Sequence, residues 1–353
     1  MSASWIVKPV SELTKEELEK WHALRFPRLP LSQSIAWATA AESVSGNCVL
    51  VFSPERKVSA LYLISGDQAE CVNGPILNWE SIHDHEDLNE QISMAVFALY
   101  QGCPWLQNIR IRPRLDQNHF LFLAKNSAFP IVQTDLAQTM VIELDDSEEK
   151  MWMNLPTRIR HEINRARSAG VETETVDLDG HLSIFWENTR KFYQSRNLFV
   201  PEEPWIRSLL DHFSSACTRT TPSNIGFADG SSDPKSVYTT ENSAQIIRAA
   251  HPASGSVSEI LVLHTHDVSY YFYAHEIRGE SCPNISLNAC AQWEAIRSSA
   301  KRGSLYYDLN GILHLEHRNA EHDSYAGVDR YKRKFKGKEI EYFSPLITFS
   351  NRE

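Results

Sequence analysis

Residues 155–171, LPTRIRHEINRARSAGV, decide how the chain is read, because they join a helix to a strand through a clear stop. At 100° per residue, Leu155, Ile159, Ile163 and Ala166 fall within one apolar stripe. Pro156 suits the first helical position, where a missing N–H costs nothing, and Gly170 supplies the C-terminal stop. VETETV (171–176) then reads as a strand, and DDSEEKMWMNL (145–155) as a helix interrupted at Pro156. Downstream, two amphipathic stretches at 181–197 and 203–215 read as helices. AQIIRAA (244–250), EILVLHT (259–265) and VSYYFYAH (268–275) follow as strands, the last apolar on both faces as a central strand should be. A helix over about 286–302 leads into the strand-like SLYYDLNGI (304–312).

Towards the N-terminus the same grammar repeats. TMVIEL (139–144) and IRIRP (109–113) read as strands, the second halted by Pro113. The segment 86–101 has helical periodicity, VNGPIL (72–77) reads as a loop, and KVSALYLI (57–64) and NCVLVFS (47–53) read as strands. A helix is expected from about Ser34 to Ser43. Before it, Thr14 and Glu17 have the spacing of a capping box that opens TKEELEKWHALR. Strands followed by helices, twice over, predict an α/β (α+β) chain in two similar halves.

The length of 353 residues, at roughly 150 per domain, agrees with two domains. A hydrophobic fraction of 42% and a charged fraction of 23% exclude disorder and a small disulfide scaffold. Cys48, Cys71, Cys103, Cys217, Cys282 and Cys290 show no C-x-x-C spacing, so free thiols in a reducing compartment are expected. No window is apolar for 18 residues, and the first residues lack a basic stretch followed by an apolar one. The expectation is a cytoplasmic protein with no membrane span.

The net charge of −10 argues against an electrostatic nucleic-acid binder unless positive charge is concentrated locally. It is. Six of the nine residues in RYKRKFKGK (330–338) are Lys or Arg, with no acid among them. Either this run captures phosphate, or it is a solvated helix end whose cations complement the dipole. The second basic segment, RIRHEINRAR (158–167), holds four Arg. The helical wheel puts Arg158 and Arg165 on one flank of the apolar stripe, and Arg160 and Arg167 on the other. Arg suits bidentate phosphate contact better than Lys does.

Several stretches, in this order, resemble the Fem-type (FemXAB) aminoacyltransferases that build interpeptide bridges in bacterial cell walls. LSQSIAW (31–37) is similar to that family's Q-x-x-x-W opening, and VNGPIL to its R-G-P-V loop, with Asn73 in place of Arg. IRIRP resembles its Pro-ended strand, and residues 155–171 its K-x-R-x-x-I-x-x-A-x-x-x-G-V helix. LYYDLNGI resembles its Y-D-L-x-G-I segment, and GVDRYKRKFKG (327–337) its G-L-x-x-F-K-x-x-F-G. The resemblance implies two tandem acetyltransferase-like (GNAT) domains, each a mixed sheet flanked by helices. Residues 1–145, with a tail at about 344–353, would form the acceptor side, and residues 146–343 the acyl-donor side. It further implies transfer of an aminoacyl group from aminoacyl-tRNA, as co-substrate, onto an amine, with no cofactor.

Carried over residue by residue, the family's F-K pair falls on Tyr331 and Lys332, and Lys332 would stabilise charge developing during acyl transfer. Arg330, Arg333, Lys334 and Lys336 would hold tRNA phosphates, with Arg158, Arg160 and Arg165 as further ligands. Asp308 is a candidate for orienting the amine, or else caps the next loop. Trp37, Asn73 and Arg196 fall on the acceptor side. Ala41 stands where the family has a Lys that binds the phosphates of a UDP-linked acceptor, which points to a peptide, another cell-wall precursor or a small metabolite instead. Two other readings stay open: an acyl-CoA-dependent N-acyltransferase and a non-catalytic tRNA-binding relative. No phosphate loop or Ser nucleophile elbow is present in the sequence. His314, His317 and His322 have spacing that fits no zinc pattern, so no metal site is expected.

Overall fold

The computed structural model describes residues 5–14, 17, 31–53, 58–79, 81–82, 84–198, 200–215, 243–265, 267–312 and 326–350. The helix expected after Thr14 lies outside them, as do His314, His317 and His322. The capping box itself is described: the Glu17 carboxylate accepts from the Thr14 N–H at 2.9 Å, and the Thr14 hydroxyl accepts from the Glu17 N–H at 3.2 Å. Two compact units emerge. The first comprises residues 1–138, 202–212 and 341–353, and the second residues 139–201 and 213–340.

In the first unit the strands are β1 (Ile6–Pro9), β2 (Cys48–Phe52), β3 (Val58–Ser65), β4 (Gln68–Asn73), β6 (Asn108–Pro113) and the end of β13 (Lys338–Ser350), in that spatial order. A two-residue β5 (Ile76–Leu77) pairs with β3. Neighbours are antiparallel except β4 and β6, which run parallel. A parallel pair needs a crossover, and α2 (His85–Gly102) provides it. Helix α1 (Ile35–Ser45) is capped by the Ser34 hydroxyl, which accepts from the Trp37 N–H. Helix α2 buries Leu88, Ile92, Ala95 and Leu99 against Ala60, Tyr62, Ile109 and Ile111 of the sheet. Helix α3 (Gln117–Asn126), capped by Asp116, had no sequence expectation.

The second unit repeats this plan. Its strands run in the order β8 (Glu172–Val176), β9 (Ser243–His251), β10 (Ser256–His264), β11 (Val268–Ile277), β12 (Tyr306–Ile312) and then β7 (Ile131–Glu143). The first four form antiparallel neighbours, and β11 with β12 is again a parallel pair, bridged by α8 (Leu287–Lys301). Two helices lie ahead of β8: α4 (Glu148–Asn154) and α5 (Thr157–Ser168). After β8 comes α6 (Leu178–Gln194), followed along the chain by α7 (Glu203–Ser215), most of which belongs to the first unit; α9 (Ala326–Arg333) follows β12. The expected apolar stripe is the buried face of α5: Ile159, Ile163 and Ala166 join Ile260, Val262, Leu287, Trp293 and Ile296 in one core. Pro156 sits one place earlier than expected. It is the N-cap, with φ −54° and ψ 139°, rather than the first helical residue. Gly170 ends the helix with φ +92°, as its position suggests.

The expected α/β class, mixed parallel and antiparallel strands flanked by helices, therefore describes the molecule. Strand β7 begins eight residues before the expected TMVIEL, and β13 was not expected at all. No helix among the described residues is long and apolar enough to cross a membrane.

Candidate active site

The two parallel pairs differ in one respect. In the first unit β4 and β6 stay together over six residue pairs, from Gln68↔Asn108 to Asn73↔Pro113. In the second, β11 and β12 pair at only three positions, ending at Tyr270↔Asp308, although both strands continue. Immediately beyond, β11 carries a bulge. Leu261 of β10 faces Tyr273 and Val262 faces Tyr271, so Phe272 is the extra residue. Bulges bend a strand and re-aim its side chains, and they recur beside active sites.

Lys332 of α9 reaches into this opening. Its side chain is 6% exposed, and its ammonium donates to the carbonyl oxygens of Gly311 at 2.7 Å and Asn310 at 3.3 Å. The nitrogen lies 5.6 Å from the centre of the Tyr271 ring. Two of its three N–H bonds are thus committed among the described residues. Burial pulls its pKa down to about 8, against the opposing pull of Asp329 and Asp308. Asp308 acts one step back. Its Oδ1 accepts from the Asn310 N–H at 2.7 Å and from the Thr139 hydroxyl. These bonds hold Asn310 in the left-handed region, with φ +63°, and so turn the Asn310 and Gly311 carbonyls towards Lys332. Of the two readings of Asp308, the cap on the following turn is the one these bonds express.

Tyr331, next along α9, is fixed rather than poised. Its hydroxyl donates to the Asn288 carbonyl at 3.0 Å and lies 3.4 Å from the Gln292 side-chain oxygen. Gln292 in turn donates to the Tyr307 hydroxyl at 2.7 Å, and burial pushes both tyrosines far up from their ordinary pKa. This chain pins α9 to α8 and β12 and thereby fixes where Lys332 points.

The other cations of α9 and its extension face elsewhere. Arg333, Lys334 and Lys336 meet Arg158 and Arg160 of α5 around an open pocket of about 510 Å3. Its remaining walls include Met153, Leu155, Pro156 and Ile159. The two basic segments singled out in the sequence, far apart along the chain, therefore line one cavity with an apolar floor and a cationic rim. Lys336 has φ +52°, a strained conformation for a lysine. Gly337 follows it, and a Cβ there would fall 2.8 Å from the Val141 carbonyl oxygen. Arg333 is tethered to Glu339 at 3.0 Å, and the Nη2 of Arg160 to the Thr157 hydroxyl at 3.3 Å. No described carboxylate pairs with Lys334 or Lys336 within 4.0 Å.

The remaining expected residues scatter. Arg165 does not line the pocket, since its guanidinium donates to the Asn284 carbonyl. Arg330 is exposed. Arg196 lies over the Phe192 ring at 3.6 Å in the second unit. In the first unit, the Asn73 side chain donates to the Ser32 hydroxyl at 2.9 Å, and Trp37 meets Trp205 of α7 edge to face at 4.7 Å. Thr139 and Gln292 do not stand out as motifs in the sequence, where Tyr271 reads as a core residue. Among the described residues no cluster of His, Cys, Asp and Glu could hold a metal ion.

Two compact units, each with antiparallel strands and a helix-bridged parallel pair, make an acetyltransferase-like mixed α/β fold. Solved structures share it. The chain is similar to FemX over 97% of both chains, with a TM-score of 0.69 and 12% identity. It is similar also to the C-terminal domain of a putative lysylphosphatidylglycerol synthetase from Agrobacterium fabrum, with a TM-score of 0.52, 11% identity, and 94% and 91% of the two chains covered. The structure of L-PGS from Bacillus licheniformis matches with a TM-score of 0.50, 9% identity, and 96% and 93% covered. No protein-family model matches the sequence, and the comparison with curated proteins returns no significant match.

Proposed function

We propose that the chain is an acyltransferase that moves an aminoacyl group from aminoacyl-tRNA to an amine, in the cytoplasm where charged tRNA is made. The observation that carries this reading is the Lys332 ammonium, buried in the gap between β11 and β12 with one N–H uncommitted among the described residues. An aminoacyl ester is already activated, so catalysis reduces to positioning a neutral amine and stabilising the tetrahedral oxyanion. A desolvated ammonium held rigidly by two carbonyls meets the second need without reorganising. The cationic pocket between α5 and α9 supports an RNA donor: Arg158, Arg160, Arg333, Lys334 and Lys336 suit phosphates, and the apolar floor suits the face of a base. The likeness to FemX supports the same reading through the fold.

The test is incubation with a pool of charged tRNAs and candidate amines, read by mass spectrometry. Amide products that form only with charged tRNA support the proposal. Transfer from acyl-CoA alone would assign the N-acyltransferase reading instead, and tight RNA binding without transfer the non-catalytic one.

A further inference from the structure

From the bulge in β11 we infer that the Tyr271 hydroxyl is a second donor to the reacting carbonyl oxygen, working beside Lys332, whose ammonium lies over the Tyr271 ring at 5.6 Å from its centre. This rests on the acyl-transfer reading but not on the identity of the donor. In a regular strand Tyr271 and Tyr273 would point the same way, because side chains alternate with a period of two. The extra residue, Phe272, breaks that alternation. Tyr273 is paired with Leu261 and packs on Trp186 and Tyr193 of α6. Tyr271 is paired with Val262, on the opposite face, and packs against the core that contains α8, with Lys332 within 5.6 Å of its ring. One inserted residue has put the Tyr271 ring beside Lys332.

Tyr271 is also the first residue of β11 beyond the last pair with β12, so no strand neighbour on that side covers it. Its side chain is half-buried, and its hydroxyl has no hydrogen-bond partner among the described residues. Nearby, the buried hydroxyl of Tyr307 on β12 is held by Gln292, and that of Tyr331 on α9 by the Asn288 carbonyl. Burial and the neighbouring Tyr193 and Tyr307 push the Tyr271 pKa well above 10, which keeps the phenol a donor at any working pH.

In the step, the amine nitrogen forms a bond to the ester carbonyl carbon and the π pair moves onto oxygen. The Lys332 N–H and the Tyr271 O–H donate to that oxyanion and keep their protons. When the pair returns, the carbon–oxygen bond of an ester, or the carbon–sulfur bond of a thioester, breaks, and the proton lost by the amine is matched by one gained by the leaving oxygen or sulfur. Loss of one oxyanion donor costs about 10²-fold or more in turnover. Tyr271→Phe retains the ring and its proximity to Lys332 and removes only the hydroxyl. The expected result is a kcat lower by about 10²-fold, an unchanged KM for the acyl donor, and unchanged RNA affinity and thermal midpoint. A wild-type kcat in the Phe variant, or a raised KM at full kcat, overturns the assignment while leaving transfer itself standing. If the wild type uses only acyl-CoA and the Phe variant slows that reaction alike, the hydroxyl assignment holds and the tRNA reading falls. Transfer from neither donor overturns both.

Discussion

Lys332 couples pH to both turnover and stability, and the two couplings have opposite signs. Its ammonium is 6% exposed, and burial brings its pKa from 10.5 to about 8. That difference corresponds to about 3 kcal/mol of preference for the neutral amine in the folded chain. The oxyanion needs the charged form, so transfer should fall as pH rises through about 8, after a rise at lower pH as the acceptor amine loses its proton. Stability behaves otherwise. Because the folded pKa lies below the unfolded one, the unfolded chain binds more protons between pH 8 and 10.5, and folding becomes more favourable across that window by up to about 3 kcal/mol. Below pH 8 the lysine is protonated in both states and its contribution is constant. Single-turnover transfer rates from pH 6 to 10 read the first effect, and urea denaturation at pH 7 and 10 the second. Lys332→Arg, charged at every pH, should lose the descending limb even if its rate is lower. Lys332→Met should cut transfer by about 10²- to 10³-fold and flatten stability over the same window. A limb near pH 8 that persists in the Arg variant, or its absence from the wild type, refutes the reasoning.

Exchanging Arg158, Lys334 and Lys336 together for Glu should weaken RNA binding about tenfold or more at 0.1 M salt, and should lower the log–log salt slope by about 0.7 for each phosphate the pocket no longer neutralises. Filter binding across a salt series checks this, and an unchanged slope would show that the pocket does not hold RNA. Glu259 lies buried on β10 between His181 at 2.8 Å and His275 at 3.3 Å, with Arg248 at 3.6 Å. Burial pushes its pKa up, yet His275 and His181 outweigh it and hold the carboxyl below its ordinary value. Its contribution to stability is therefore present above the ordinary carboxylate pKa and drains away as pH falls below it. Glu259→Ala should cost about 3–5 kcal/mol at pH 7, measured by urea denaturation, and the loss should shrink in acid.

The strand–helix order was legible in the sequence wherever period and punctuation agreed. The α5 stripe of Ile159, Ile163 and Ala166 and the two-sided apolar run of β11 are both where their patterns put them. Strand β13 was hidden by Pro345, which has no N–H for a ladder and reads as a break. The upstream part of β7, IVQTDLAQ, is interrupted by Gln133, Asp135 and Gln138, whereas TMVIEL carries an unbroken apolar run, Met140 to Ile142. The two basic segments were legible as charge, but their meeting around one pocket depends on tertiary packing. Nor could the sequence reveal that Lys332 turns inward while Lys334 and Lys336 turn out, because both faces of that run carry the same residue type. The bulge at Phe272 left no trace at all: VSYYFYAH is equally apolar whether or not Tyr271 changes side.

Synthesis order gives the β6–β13 pairing a further meaning. Ile111 finds its ladder partner in Ile347, so the first unit lacks a bordering strand until the ribosome has made the whole of the second. During that interval β6 presents an open hydrogen-bonding edge, an invitation to wrong partners. A fragment ending near residue 145 would keep that edge unpaired, since its bordering strand is made last.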